Sequence, residues 1–167
     1  ARRQGDVEEN MEIVGRATLH PLLFYSGKLS GYLTWVLLSL DHFGVRPIQG
    51  LHAVVLDDLS YMLLVVAAVF IVLSLVSLGR STRVGLPSGQ TRLKTGGVYR
   101  MSRNPMYVGF NALTLAAILG TGNLVVLVVG VYSMVVYHLI IGGEERYLSA
   151  VFGTAYAQYR ASVRKYV

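Results

Sequence analysis

The chain has no cysteine, which excludes disulfide bridges, thiolate nucleophiles, cysteine-ligated zinc and iron–sulfur clusters together. Charge is scarce as well: Asp, Glu, Lys and Arg make up 14% of 167 residues, against roughly one-quarter in a soluble domain. Apolar residues take their place, at 53% of the chain, and that composition predicts an integral membrane protein. Acids are the rarer sign, 9 against 15 Lys and Arg. The net charge of +6 is not read as a nucleic-acid footprint, because the basic residues flank apolar runs, where lipid headgroups and membrane orientation account for them. His20, His42, His52 and His138 show no paired ligand spacing with Asp41, Asp57 or Asp58, so no metal is expected. Residues 1–16 hold no continuous apolar stretch and are not expected to act as a cleavable signal. The length is about that of one domain, so any chemistry must share the membrane helices.

Two runs, residues 61–78 and 124–141, are apolar over the length that crosses about 30 Å of hydrocarbon. A third, from Met106 to about Gly120, opens after Pro105, which suits a first helical turn because it has no amide hydrogen to lose. A fourth, residues 29–43, is interrupted by Gly27, Lys28 and Gly31 and extended toward the N-terminus by Leu22, Leu23, Phe24 and Tyr25. The expected fold is all-α: a polytopic membrane protein of about four transmembrane helices plus a cytoplasmic C-terminal amphipathic helix. Three spans and one interfacial helix are the alternative. Gly142-Gly143 are expected to end the last span, and from Glu144 onward Tyr147, Leu148, Val151 and Phe152 share a helix face.

Basic residues sort to one side of this arrangement. Arg2, Arg3 and Arg16 precede the first span; Arg80, Arg83, Arg92, Lys94, Arg100 and Arg103 lie between the second and third; Arg146, Arg160, Arg164 and Lys165 follow the fourth. The opposite side has Arg46 alone. The positive-inside rule places both termini and the central loop in the cytoplasm. The chain divides into an N-terminal membrane region, residues 1–78, and a region with the loop, two spans and the tail, residues 79–167.

Two nucleotide signatures fail on inspection. Around Gly27-Lys28, Leu22 and Leu29 stand where a phosphate-binding loop needs Gly and Ser or Thr. Gly120-Thr121-Gly122 lacks a third glycine and a preceding strand, so it reads as a helix-hairpin turn. His138, one turn before the end of the last span, is an intramembrane ionisable group and thus a functional candidate; interhelical glue is its other reading. Adjacent Glu144 and Glu145 point about 100° apart on a helix, so one is expected inward and one toward solvent. A favourable helix N-terminal charge is their other reading. The densest polar cluster is Tyr99 to Gly109, YRMSRNPMYVG. Orientation needs only Lys and Arg, whereas Asn104, the Pro105 helix start, Tyr99 and Tyr107 add donors suited to an anionic or hydroxyl-rich ligand.

The ordered motifs Leu93-Lys94-Thr95-Gly96-Gly97-Val98-Tyr99-Arg100, Arg103-Asn104-Pro105-Met106-Tyr107-Val108-Gly109 and Glu144-Glu145, followed by Leu148, Phe152-Gly153, Tyr156, Tyr159 and Val163-Arg164, resemble the C-terminal half of the isoprenylcysteine carboxyl methyltransferases and their phospholipid methyltransferase relatives. The resemblance covers residues 79–167. It implies S-adenosylmethionine-dependent methyl transfer at the cytoplasmic membrane face, to a prenylcysteine carboxylate, a phospholipid amine or another small lipophilic acceptor. Carried over by position, it implies that Thr91, Arg92, Leu93 and Lys94 contact the cofactor largely through backbone and that Tyr99 lines its pocket. Arg103, Asn104, Pro105, Met106 and Tyr107 would hold its nucleoside and methionine ends, and Glu144 a polar group, with Glu145 behind or facing substrate. The family's Arg-His-Pro is Arg103-Asn104-Pro105 here, which implies hydrogen bonding in place of proton transfer. Leu139, Ile140 and Ile141 stand where the carboxyl methyltransferases carry an arginine for the substrate carboxylate. An amine acceptor must lose a proton, and Glu145, His138 or Tyr107 is then the expected catalytic base. The partners implied are the lipophilic acceptor and membrane lipid, with neither nucleic acid nor metal. An NADPH-dependent membrane reductase of the sterol or steroid type and a non-enzymatic membrane scaffold are the competing readings.

Overall fold

The computed structural model describes residues 19–45, 50, 54–78 and 93–167. Thr91, Arg92, His52 and the arginines at 2, 3, 16, 46, 80 and 83 lie outside the described residues. Among the described residues every regular element is helical: α1 (Pro21–His42), α2 (Val54–Leu78), a 3-10 turn (Gly97–Arg100), α3 (Pro105–Thr121) and α4 (Leu124–Ser162). Pro21 and Pro105 each stand in the first turn of their helix, where a missing amide hydrogen costs nothing. The hairpin between α3 and α4 closes as expected. Gly122 ends α3 at φ 54°, a left-handed conformation in which a side chain would be strained. The Asn123 carboxamide then accepts from the amides of Val125 and Val126 and opens α4.

Polar contacts fix the helix directions. Ser60 Oγ donates to the Ala116 carbonyl at 2.8 Å, while Gly109, near the other end of α3, lies against Ala67 and Ile71; α2 and α3 are therefore antiparallel. Trp35 Nε1 donates to Thr114 Oγ1 at 3.0 Å, and Leu38 touches Gly120, so α1 runs parallel to α3. Ser133 Oγ donates to the Gly27 carbonyl at 2.9 Å, with Gly27 pressed on Val136. These contacts gather the start of α1, the end of α2, the start of α3 and the second half of α4 at one end of the bundle.

The burial pattern is inverted relative to a water-soluble bundle. Val65, Val69, Val72 and Val76 on α2 and Leu124, Val128, Val131 and Val135 on α4 are exposed, while Thr34, Ser60, Ser74, Thr114 and Ser133 are buried. Apolar surface of this extent needs lipid against it, and small and hydroxylated residues between helices are what membrane interfaces use. Two helices, α2 and α4, are long and apolar enough to cross a membrane. The 17 residues of α3 rise about 25 Å, short of the full hydrocarbon width.

One expectation is overturned. Gly142-Gly143 do not end a helix; α4 continues through them to Ser162 and kinks at Gly153, φ 49° and ψ −120°. A helical glycine costs only about 1 kcal/mol and does not terminate a helix unless the backbone leaves helical space, which happens ten residues later. Glu144 and Glu145 thus lie mid-helix, so the helix N-terminal dipole has no part in placing them.

Replacing Gly109 with Val tests the α2–α3 seam, because a Cβ there would lie 2.7 Å from Ile71 Cγ1 and 3.1 Å from the Ala67 carbonyl oxygen. The neighbour is partly backbone and cannot turn aside. The variant should lose about 1–3 kcal/mol, read as a lower unfolding midpoint in detergent.

Candidate functional site

The helix polar end assembles residues that are far apart in the chain into two linked clusters on either side of α4. On the bundle side, Tyr107 Oη donates to Glu144 Oε1 at 2.8 Å. The Tyr107 ring packs against Tyr137, centroids 5.8 Å apart, and Phe110, 6.0 Å. Beneath them Phe24, Val136, Tyr137 and Ile140 form a buried apolar cluster. Glu144 lies beyond the apolar stretch 124–141, and burial raises its carboxyl above the ordinary range, opposed by the Tyr107 hydrogen bond and the Lys28 charge. Retaining a proton more readily, it is a stronger base than a free carboxylate.

On the other side Glu145 is 8% exposed. Its Oε1 takes Arg103 Nε and Nη2, each at 3.0 Å, and Asn104 Nδ2 at 3.2 Å. Arg103 Nη1 donates to the carbonyls of Val163 at 2.6 Å and Arg160 at 3.2 Å. The Arg103 amide donates to the Arg164 carbonyl at 2.9 Å, and Asn104 Nδ2 also reaches the Lys165 carbonyl at 3.1 Å. Tyr159 Oη donates to the Tyr99 carbonyl at 2.6 Å. The Arg-Asn-Pro stretch therefore clasps the C-terminal tail, and the tail folds back over the start of α3.

Several expected placements change as a result. The donors of Arg103 and Asn104, read from sequence as aimed at a ligand, are engaged by Glu145 and tail carbonyls. Neither glutamate points freely to solvent, because α3 receives one and the tail encloses the other. His138 is on the exposed face of α4, its Nδ1 2.8 Å from Tyr166 Oη, joined to the tail and apart from the Tyr107–Glu144 pair. Tyr99 is in the 3-10 turn and Pro105 is buried at the start of α3; Met106 is half-buried, while Leu93 and exposed Lys94 precede the turn. Thr91 and Arg92, also expected at the cofactor, lie outside the described residues.

Sequence reasoning did not select Lys28, whose ammonium lies 4.2 Å above the Phe24 ring, or the groove beside the kink of α4. Two depressions lie there, about 470 Å³ lined by Gly142, Glu145, Arg146, Ser149 and Arg160 and about 430 Å³ lined by Ser149, Gly153, Tyr156, Ala157, Arg160 and Ala161, sharing Ser149 and Arg160. Tyr156 is 1% exposed, its hydroxyl buried beside the Arg103 guanidinium. Tyr156 and Tyr159 had stood among the motif residues, but nothing in their spacing marks a groove. Among the described residues no cluster of His, Asp and Glu could hold a metal.

The model of the family described as phospholipid methyltransferase matches residues 58–155, more than half of the chain. The chain belongs to the phospholipid methyltransferase family. Membership implies methyl transfer on lipid substrates, in keeping with the apolar exterior of α2 and α4. The matched stretch begins within α2 and includes Tyr107, Glu144 and Glu145. No curated protein and no solved structure matches the chain.

Arg103 is the centre of the tail clasp, its side chain 9% exposed against 11% for Glu145. Arg103→Ala leaves a buried carboxylate without its cation and should cost about 3–5 kcal/mol, with faster trimming of residues 160–167 by carboxypeptidase. A tail protected as in the wild type would contradict the clasp. A second expectation concerns alkaline pH. Burial pushes the phenols of Tyr99 and Tyr159 up to about 12, whereas an unfolded phenol ionises at about 10. The unfolded chain loses these protons first, so their contribution is complete below about pH 10 and is lost as pH rises from about 10 to 12. The unfolding midpoint should decline across that window, and less steeply in Tyr159→Phe.

Proposed function

We propose that the protein is an S-adenosylmethionine-dependent methyltransferase acting on a lipophilic acceptor at the cytoplasmic membrane face, with an amine-bearing phospholipid as the acceptor class. The observation that carries this reading is the Tyr107–Glu144 hydrogen bond of 2.8 Å, which unites the two motif segments at the polar end of a lipid-facing bundle. In this reading α1 to α4 are four spans, counting the short α3 and the less apolar α1. Both termini are cytoplasmic, and residues 79–167 form the catalytic region behind the N-terminal membrane region 1–78.

The charged lining of the α4 groove suits the cofactor's amino-acid end: Arg160 and Arg146 for a carboxylate and Glu145 for an ammonium. Tyr99, Arg103, Asn104, Pro105 and Met106 are assigned to the cofactor's nucleoside side, together with Leu93 and Lys94 and, outside the described residues, Thr91 and Arg92. Glu144 holds a polar group from the bundle side. When bound, S-adenosylmethionine supplies an electrophilic sulfonium methyl. The protein's own contribution is to hold the acceptor in line, which is worth roughly 7–11 kcal/mol when orientation is complete, and to exclude water.

An amine acceptor gives up a proton before or as the new carbon–nitrogen bond forms. Of the three groups expected to take it, Tyr107 is best placed, through its hydrogen bond to Glu144. Glu145 is held by Arg103 and Asn104 and positions the tail, while His138 faces outward beside Tyr166, away from the Tyr107–Glu144 pair.

Calorimetry in detergent should find S-adenosylhomocysteine bound and NADPH not bound. Labelled-methyl incorporation into a lipid extract should fall about 10²-fold or more in Glu144→Ala and Tyr107→Phe. Binding of NADPH in place of S-adenosylhomocysteine would establish the reductase reading instead.

A further inference from the structure

Lys28 is the one Lys or Arg among the described residues of α1, α2, α3 and the apolar stretch 124–141 of α4. It lies seven residues into α1, about 10 Å from the helix start. A charge at that depth is expensive and is retained where it meets a partner or a substrate. Its ammonium is turned back over Phe24, 4.2 Å from the ring centroid, and so toward the polar end of the bundle. Phe24 belongs to the buried cluster that includes Ile140, one turn before Glu144, and against which Tyr107 packs. The close approach of α1 to α4 at Gly27, where Val136 fills the space a side chain would take, holds Lys28 at that place. The Lys28 charge also acts on the Glu144 carboxyl. Among the described residues Arg103–Glu145 is an ion pair, whereas Lys28 is held by an aromatic face and no carboxylate bonded to it.

From this placement we infer that Lys28 receives the phosphodiester oxyanion of the phospholipid acceptor, beside the Tyr107–Glu144 pair that faces its amine. This rests on the methyltransferase reading for the identity of the reaction, though not for the binding itself. It also supplies from α1 the cation missing at Leu139, Ile140 and Ile141. A lysine is a compact point charge suited to a phosphate oxygen, and a phosphodiester two carbons from an amine presents opposite charges to Lys28 and Glu144 at once.

The test is binding of short-chain phosphatidylethanolamine in neutral-detergent micelles, measured by calorimetry for wild type, Lys28→Met and Lys28→Arg. A dodecylamine arm lacks the phosphate, and a dodecanoate arm carries a carboxylate instead. Lys28→Met should weaken phosphatidylethanolamine about ten- to a hundredfold, Lys28→Arg should stay within about threefold because the charge is kept, and dodecylamine should be unaffected. S-adenosylhomocysteine affinity and the unfolding midpoint should match the wild type. Equal phosphatidylethanolamine binding by wild type and Lys28→Met, absence of wild-type binding, or loss confined to dodecanoate would overturn the assignment. Phosphatidylethanolamine binding that depends on Lys28 without any transfer of labelled methyl would instead remove the methyltransferase reading and leave the oxyanion site standing.

Discussion

The ion pair between Arg103 and Glu145 is the constraint on which the rest of the polar end depends. One carboxylate oxygen receives two guanidinium donors and the Asn104 amide, while the third guanidinium nitrogen reaches two tail carbonyls. Arg is suited to this because its fork is rigid, permanently charged and able to serve several acceptors at once. The pair joins the start of α3 to the middle of α4 and to the chain's last residues. Its desolvation is tolerable because the remaining donors find backbone partners.

The two adjacent glutamates acquire different roles from this one interaction. With Glu145 fixed against Arg103, the helical offset of about 100° turns Glu144 toward α3, where the Tyr107 hydroxyl meets it. The outward glutamate of a surface helix is thereby enclosed by the tail, and the inward one is left in a less polar setting with a phenol and a distant ammonium. A pair of carboxylates whose environments differ in this way can hold a structure with one member and serve chemistry with the other. Tyr159, bonded to the Tyr99 carbonyl, pins the opposite edge of the tail.

The lipid-facing half follows a different physical rule. Where water is absent, burying apolar area gains little between helices, and close packing decides their approach. Gly27 and Gly109 permit that approach, and Ser60, Thr114 and Ser133 bridge it with hydrogen bonds to a neighbouring helix. The same contacts align α1 with α4 and bring Lys28, from a part of the chain with no recognisable motif, to the edge of the site.

Much of this was legible in the chain. Apolar runs predicted the helices of α2 and α4, Pro105 the start of α3, and Gly122-Asn123 the hairpin, because these depend on local backbone preference and on the length of an apolar stretch. The motif residues Tyr107, Asn104, Glu144 and Glu145 stood out by type and order. Their partners did not, since a sequence carries no record of which carbonyl a guanidinium will meet. The unbroken course of α4 through Gly142-Gly143 was hidden because glycine only weakens a helix, and tertiary contacts on both flanking sides decide whether it continues. Composition and local pattern by themselves determined a lipid-facing helical protein with a polar mouth. Packing alone decided that Arg103 closes on Glu145, that Tyr107 takes Glu144, and that Lys28 folds over Phe24 beside their cluster, because each placement requires helices far apart in the chain to meet at a particular rotation and depth.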